Sequence, residues 1–258
     1  MQVTKIVTIT LGALLAFPAL AEEAPASLSS PVAYNIGVVS DYVFRGITQT
    51  THAPAVQGGA DYTHSTGLYV GTWASNVKWI KDRGAIATGD SSVELDTYFG
   101  IKNSVATDYG YDVGYIRYNY LGSYTPQLGY NNADTAEVYG AASYKFVTLK
   151  YSYSLLDGFL TIPSAKGTNY IDLTANYPLD AAGMTIGAHV GKQTFVGSAE
   201  SINGVSPTYN DYRLSASKDF SSYVVSLAYS NTNATSFWTL NGDPWGQSAT
   251  TLSVTHSF

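Results

Sequence analysis

The chain has 258 residues and no cysteine, which excludes disulfide staples and thiolate zinc sites. The formal net charge is −6 without any Lys/Arg cluster, which argues against a nucleic-acid partner. Charged residues make up only 12%, beside 22 tyrosines and 24 glycines. A soluble domain usually carries about 25% charged residues, so much of this surface is expected to face lipid.

The first element is a targeting segment. Lys5 supplies a positive start, Ile6 to Phe17 are mostly apolar, and Ala19-Leu20-Ala21 is a small-x-small cleavage pattern. Residues 1–21 therefore read as a cleaved export signal and residues 22–31 as a flexible periplasmic lead-in. No later window offers the ~18 apolar residues of a transmembrane helix.

From residue 32 to 258 the dominant signal is alternation with period two. Val147, Leu149, Tyr151, Tyr153 and Leu155 alternate with Thr148, Lys150, Ser152 and Ser154. Val93, Leu95, Thr97, Phe99 and Ile101 alternate with Glu94, Asp96, Tyr98, Gly100 and Lys102. Tyr, Val and Thr favour strands. Twelve such segments are expected, at about 32–45, 54–64, 67–78, 92–102, 109–120, 135–145, 147–155, 169–177, 184–195, 208–218, 223–231 and 248–258. Long polar connections (46–53, 79–91, 121–134, 156–168, 196–207, 232–247) alternate with short ones. Outer-membrane barrels have an even strand number, long extracellular loops and short periplasmic turns. The expected fold is thus all-β: a single 12-stranded antiparallel transmembrane β-barrel of the outer membrane, with outer-membrane lipid as its surroundings.

In such a barrel the apolar face looks at lipid and the polar face lines the lumen. The expected pore-lining set holds seven acids (Asp41, Asp61, Glu94, Asp96, Glu137, Asp172, Asp211) and six bases (Arg45, Lys102, Arg117, Lys145, Lys150, Arg213). Arg117 is placed inward because an arginine facing mid-membrane lipid costs about 2–4 kcal/mol. That choice also puts Tyr115 in the lumen, beside Tyr98, Tyr139 and Tyr170. Most other tyrosines are expected in interfacial girdles. Near-balanced charges across a bore would set up a transverse field favouring dipolar or zwitterionic solutes. The alternative is that the charges pair along the wall and plug a narrow barrel, leaving an adhesive or structural role to the loops, with Trp238, Pro244 and Trp245 as contacts.

An outer-membrane lipid hydrolase needs a base-activated nucleophile. The histidines are His52, His64, His189 and His256. His64-Ser65 falls at a turn, His189 is flanked by Gly187 and Gly191, and His256 faces lipid by parity. No catalytic residue, metal site or cofactor is therefore expected, and the protein is not read as an enzyme. The last strand places Leu252, Val254, His256 and Phe258 on one face. A terminal Phe after alternating apolar residues resembles the signal that such barrels present to their insertion machinery, an expected partner.

The stretch from Ser40 through Asp41-Tyr42-Val43-Phe44-Arg45-Gly46-Ile47 to Thr50 resembles the opening of the TorF family of porin-type proteins, the Gcw_chp bacterial family of unknown function. The resemblance continues through Pro54-Ala55-Val56-Gln57-Gly58-Gly59, Gly67 to Val77, Glu94-Leu95-Asp96, Gly110 to Tyr118 and Glu137-Val138-Tyr139. It implies an outer-membrane channel and no particular solute. The expected task is passive diffusion of small hydrophilic solutes; the sequence specifies neither the solute nor the oligomer.

Overall fold

The computed structural model describes residues 31–82, 87–179, 183–240 and 242–258. The expected export signal and all of the lead-in except Pro31 lie outside the described residues.

Twelve strands form the wall: β1 (Val32–Val39), β2 (Ala55–Thr63), β3 (Leu68–Asn76), β4 (Ala87–Ala106), β5 (Tyr109–Pro126), β6 (Thr135–Tyr144), β7 (Val147–Ser154), β8 (Asn169–Leu179), β9 (Met184–Thr194), β10 (Tyr209–Phe220), β11 (Tyr223–Thr232) and β12 (Ala249–Ser257). Each pairs antiparallel with its chain neighbour, and β12 pairs with β1 (Val38 opposite Val254) to close the barrel. Closure leaves no strand edge unpaired, which is what lets a sheet cross hydrocarbon. Among the described residues no helix is long and apolar enough to cross a membrane.

The alternation sorts side chains as a membrane barrel requires. Leu68, Val70, Phe99, Val113, Leu173, Val190 and Leu227 stand exposed on the outside, and Leu214 is 61% exposed. Their inward neighbours Tyr69, Tyr98, Asp112, Asp172 and His189 are buried. Apolar outside and polar inside is the reverse of a soluble barrel. Aromatic pairs ring the short-turn end: Tyr109 with Tyr144 (4.8 Å between centroids), Phe146 with Tyr177 (5.2 Å), and Tyr223 with His256 (4.4 Å). Rings with one wet and one apolar end settle at such an interface.

Two strands outrun their expected lengths. β4 and β5 have 20 and 18 residues and continue past a register shift between Ser91 and Val93. At about 3.4 Å per residue the hairpin rises well above a ~25 Å apolar band.

The first long connection departs most from expectation. The alternation of Tyr42, Val43 and Phe44 reads as a strand of the wall, but the wall strand ends at Val39 and residues 40–54 turn into the bore. The alternation is real, because Val43–Phe44 pairs with Ile47–Thr48 in a miniature hairpin. Its two tip residues, Arg45 (φ 47°) and Gly46 (φ 78°), both have positive φ, as the tightest hairpin turn demands. Tyr42, Phe44 and Ile47 are buried, and full burial of such a side chain is worth about 1.5–3 kcal/mol. Tyr42 packs edge-on against Trp73 of β3 (5.5 Å) and Phe44 against Tyr118 of β5 (5.7 Å). Trp245 O accepts from Thr48 N (3.0 Å), and Gln49 O accepts from Lys78 N (2.9 Å), so two later loops close over the hairpin.

Candidate channel lumen and its inner hairpin

Eight wall carboxylates face inward among the described residues: Asp61, Glu94, Asp96, Asp112, Glu137, Asp172, Asp211 and Asp219. Three wall bases, Lys102, Lys150 and Arg213, face them, with His189 as a fourth nitrogen group. The hairpin adds Asp41 and Arg45. The expected near balance of charge is thereby replaced by an acid excess.

The acids are held chiefly by phenols. Tyr98 donates to Asp61 (2.7 Å), Tyr69 to Asp112 (2.7 Å), Tyr118 to Glu137 (3.3 Å), Tyr170 to Asp211 (2.9 Å), and Tyr42 of the hairpin to Glu94 (3.1 Å). Tyr69 and Tyr139 also share a short bond between hydroxyls. A phenol satisfies a carboxyl oxygen without supplying positive charge, so the wall carries more acidic than basic groups. Asp96 is fully buried, and both of its oxygens and Glu94 Oε2 have no hydrogen-bond partner in the structure. The tyrosines reach inward because glycines make room: a Cβ on Gly191 would collide with the Tyr170 hydroxyl.

Lys150 places Nζ 3.8 Å over the Tyr139 ring and lies opposite Asp172 in register. Lys102 Nζ is 5.4 Å from the Tyr69 ring centre. His189 joins a wall network: Tyr170 Oη lies 2.8 Å from its Nε2, Asp211 Oδ1 3.1 Å from the same nitrogen, and Thr174 Oγ1 2.8 Å from Nδ1. Thr174 also donates to Asp172 (3.2 Å), so its hydroxyl is tied into the wall.

Four of the expected pore-lining positions change. Arg117 and Tyr115 alternate with the inward Ile116 and Tyr118 and share the outer side with Val113; Tyr115 stacks on the exposed Phe99 (5.3 Å). Arg117 lies toward the loop end, where its Nε donates to Asn119 (2.7 Å) and its Nη2 sits 3.8 Å from Asp134. An outward arginine near the interface costs only about 0–1 kcal/mol, so the energetic reason for placing it inside does not apply there. Lys145 caps the β6–β7 turn (φ 51°) with Nζ 4.0 Å from Asp108, at the rim and not in the bore. Asp41 and Arg45 lie in the bore but belong to the hairpin rather than the wall. Asp112, Asp219 and the His189 network were not foreseen; the alternation of Asp112 with Val113 was the available signal.

Asp41 knits the hairpin together. It accepts from Thr48 Oγ1 (2.5 Å) and Thr50 Oγ1 (3.1 Å) and sits 2.9 Å from His52 Nδ1. Arg45 ties the hairpin to the far wall: Nη1 and Nη2 donate to the two oxygens of Glu137 (2.9 and 2.7 Å), and Nη1 also to Gln193 Oε1 (2.8 Å). Burial opposes its charge, but adjacent Glu137 more than offsets this and holds the guanidinium pKa above its ordinary value. The body of the hairpin packs on β3–β6, its tip reaches Tyr170, Gln193, Asp211 and Thr232 on β8–β11, and a cavity of about 70 Å³ remains beside it, lined by Asp41, Arg45, Gln57, His189, Arg213 and the small polar residues of β11 and β12. That is room for several waters.

An apolar outer face, a charged inner wall and an inserted first loop define a porin-shaped, outer-membrane-type β-barrel. The chain belongs to the family described as "Bacterial protein of unknown function (Gcw_chp)", which matches residues 23–258. Among solved structures it is similar to a NanC porin (TM-score 0.55, 9% identity) and to the KdgM porin (TM-score 0.52, 8% identity), with 88% of this chain and 98% of each of those chains covered. The KdgM porin is also matched in a complex with disordered oligogalacturonate. At such identity the likeness concerns the fold. No curated protein matches the chain.

Proposed function

We propose that the protein is an outer-membrane channel for passive diffusion of small hydrophilic solutes, with a preference for cations. The observation that carries this reading is the phenol-solvated acid excess on the inner wall, running beside a polar cavity that the hairpin leaves open. Acidic rings favour cations in a bore. In this reading Asp61, Glu94, Asp96, Lys102, Glu137, Lys150, Asp172, Asp211 and Arg213 line the pore, and Asp41 and Arg45 belong to a hairpin that narrows it. Oligogalacturonate, the ligand of the KdgM complex, is a polyanion, and the acid-rich wall here disfavours such a solute. The inserted hairpin favours a second feature: wide opening requires it to leave the β3–β6 wall.

Swelling of proteoliposomes tests the reading. Small cationic solutes should enter faster than anionic ones of equal size. Equal exclusion of both, with insertion of the barrel verified by heat-modifiable mobility, would overturn it.

A further inference from the structure

The tip of the inner hairpin is an unusual place for an arginine. A two-residue turn with positive φ at both positions is filled at least cost by Asn, Asp or Gly. A non-glycine residue held there is strained, and such strain points to what the side chain reaches. Arg45 reaches a cage. Glu137 grips its two terminal nitrogens end-on, and Gln193 adds a third acceptor. The Tyr170 ring lies 4.3 Å from the guanidinium carbon, the Phe159 ring 5.8 Å, and the hairpin's own Phe44 ring 4.8 Å.

The other members of this cage, Phe159 from the β7–β8 connection and the rest from the wall, are oriented by contacts that do not involve Arg45. Gln193 is 0% exposed and donates Nε2 to Asn169 O (3.1 Å), which fixes its Oε1 toward the bore. Glu137 is 1% exposed and also accepts from Tyr118 (3.3 Å). Tyr170 is anchored through its hydroxyl on Asp211 (2.9 Å), and Phe159 packs edge-on against Phe195 (5.8 Å). A forked carboxylate, a carbonyl acceptor and flanking aromatic faces match a planar guanidinium better than a compact ammonium. We propose that the cage formed by Glu137, Gln193, Tyr170 and Phe159 is a recognition subsite for solutes bearing a guanidinium group, and that Arg45 is its tethered occupant, exchanged for the solute's own guanidinium during passage. The role in passage rests on the channel reading; binding itself does not. A tethered competitor acts at an effective concentration on the order of millimolar, so free guanidinium should bind more weakly to the wild-type chain than to one lacking Arg45.

The test is thermal unfolding of full-length Arg45→Ala in detergent, titrated with methylguanidinium or, at matched ionic strength, methylammonium. Methylguanidinium should raise Tm saturably, by about 2–4 °C, which corresponds to ~1 kcal/mol of linkage for a chain of this size. Methylammonium should raise it less, and the gain should vanish in Arg45→Ala/Glu137→Gln. Absence of a guanidinium-specific, Glu137-dependent rise overturns the subsite. Should Arg45→Ala fail to fold, Arg45→Lys keeps the charge without the fork and carries the same expectations. Bilayer current separates the two proposals. Binding without current leaves the cage standing and removes the channel; current without the guanidinium-specific Tm rise does the reverse.

Discussion

Replacing Glu137 by Ala should release the inner hairpin. Glu137 and Arg45 form two charge-assisted bonds of 2.9 and 2.7 Å, with side chains only 1% and 9% exposed. Removing one partner of a buried pair costs about 3–5 kcal/mol, because the other charge is stranded. Gln193 and the Tyr170 ring would retain part of the guanidinium's stabilisation, so the lower figure applies. At about 1.4 kcal/mol per tenfold change, 3 kcal/mol moves the docked–undocked equilibrium by roughly a hundredfold. The chain has no cysteine, so a single Gln49→Cys is a clean reporter. Gln49 is 2% exposed beneath the later loops, and its side chain makes one hydrogen bond, to Ile47 O (3.1 Å). Maleimide should label Gln49→Cys slowly in the parent and on the order of a hundredfold faster with Glu137→Ala, provided labelling follows opening. Equal labelling rates in two folded proteins would refute the claim that this pair holds the hairpin in place.

Gly46→Ala should undock the hairpin by a different route, since an added Cβ would strike Thr232 and Asp211 and φ is 78°; the same cysteine reporter should accelerate. Leu214→Arg, mid-strand on the lipid face, should lower unfolding stability in lipid by about 2–4 kcal/mol, whereas Arg117→Leu at the loop end should change it by less than about 1 kcal/mol. Urea titration of the refolded barrel distinguishes these, and equal effects would contradict the assigned faces. Glu94→Gln combined with Asp96→Asn replaces two neighbouring buried carboxyl groups that share three unpartnered oxygens, so it should raise the urea midpoint of the refolded barrel. Deleting Phe258 should slow assembly into the outer membrane and leave refolding in detergent intact, as measured by the heat-modifiable fraction over time.

Much of the wall was legible in the sequence because a half-wet strand has only two faces. Once Phe99 and Leu95 are outward, Glu94, Asp96 and Tyr98 must be inward, and the structure places them so. Strand β5 misled because Tyr occupies both faces and the apolar Ile116 points inward, leaving Arg117 to set the parity; its depth in the membrane depends on how far the β4–β5 hairpin extends, which alternation does not encode. Lys145 misled for a related reason, since strand ends are marked by backbone angles rather than by hydropathy. The inner hairpin was hidden by its own regularity. Tyr42, Val43 and Phe44 alternate whether they pair with the wall or with Ile47 and Thr48, and Arg45-Gly46 is a weaker turn signal than Asn-Gly. The contact of Arg45 with Glu137 spans 92 positions, a long-range pairing that periodicity does not reveal.

On the proposed channel reading the wall encloses a bore that the inner hairpin partly fills. Val39 pairs directly with Ala55, so residues 41–53 can be replaced by an Asn-Gly turn without disturbing the wall register. Single-channel recording of the refolded parent beside this shortened protein is the most direct test. Discrete cation-preferring steps are expected, larger in the shortened protein; silent membranes for both, with insertion verified, would mean that the barrel holds no conducting bore.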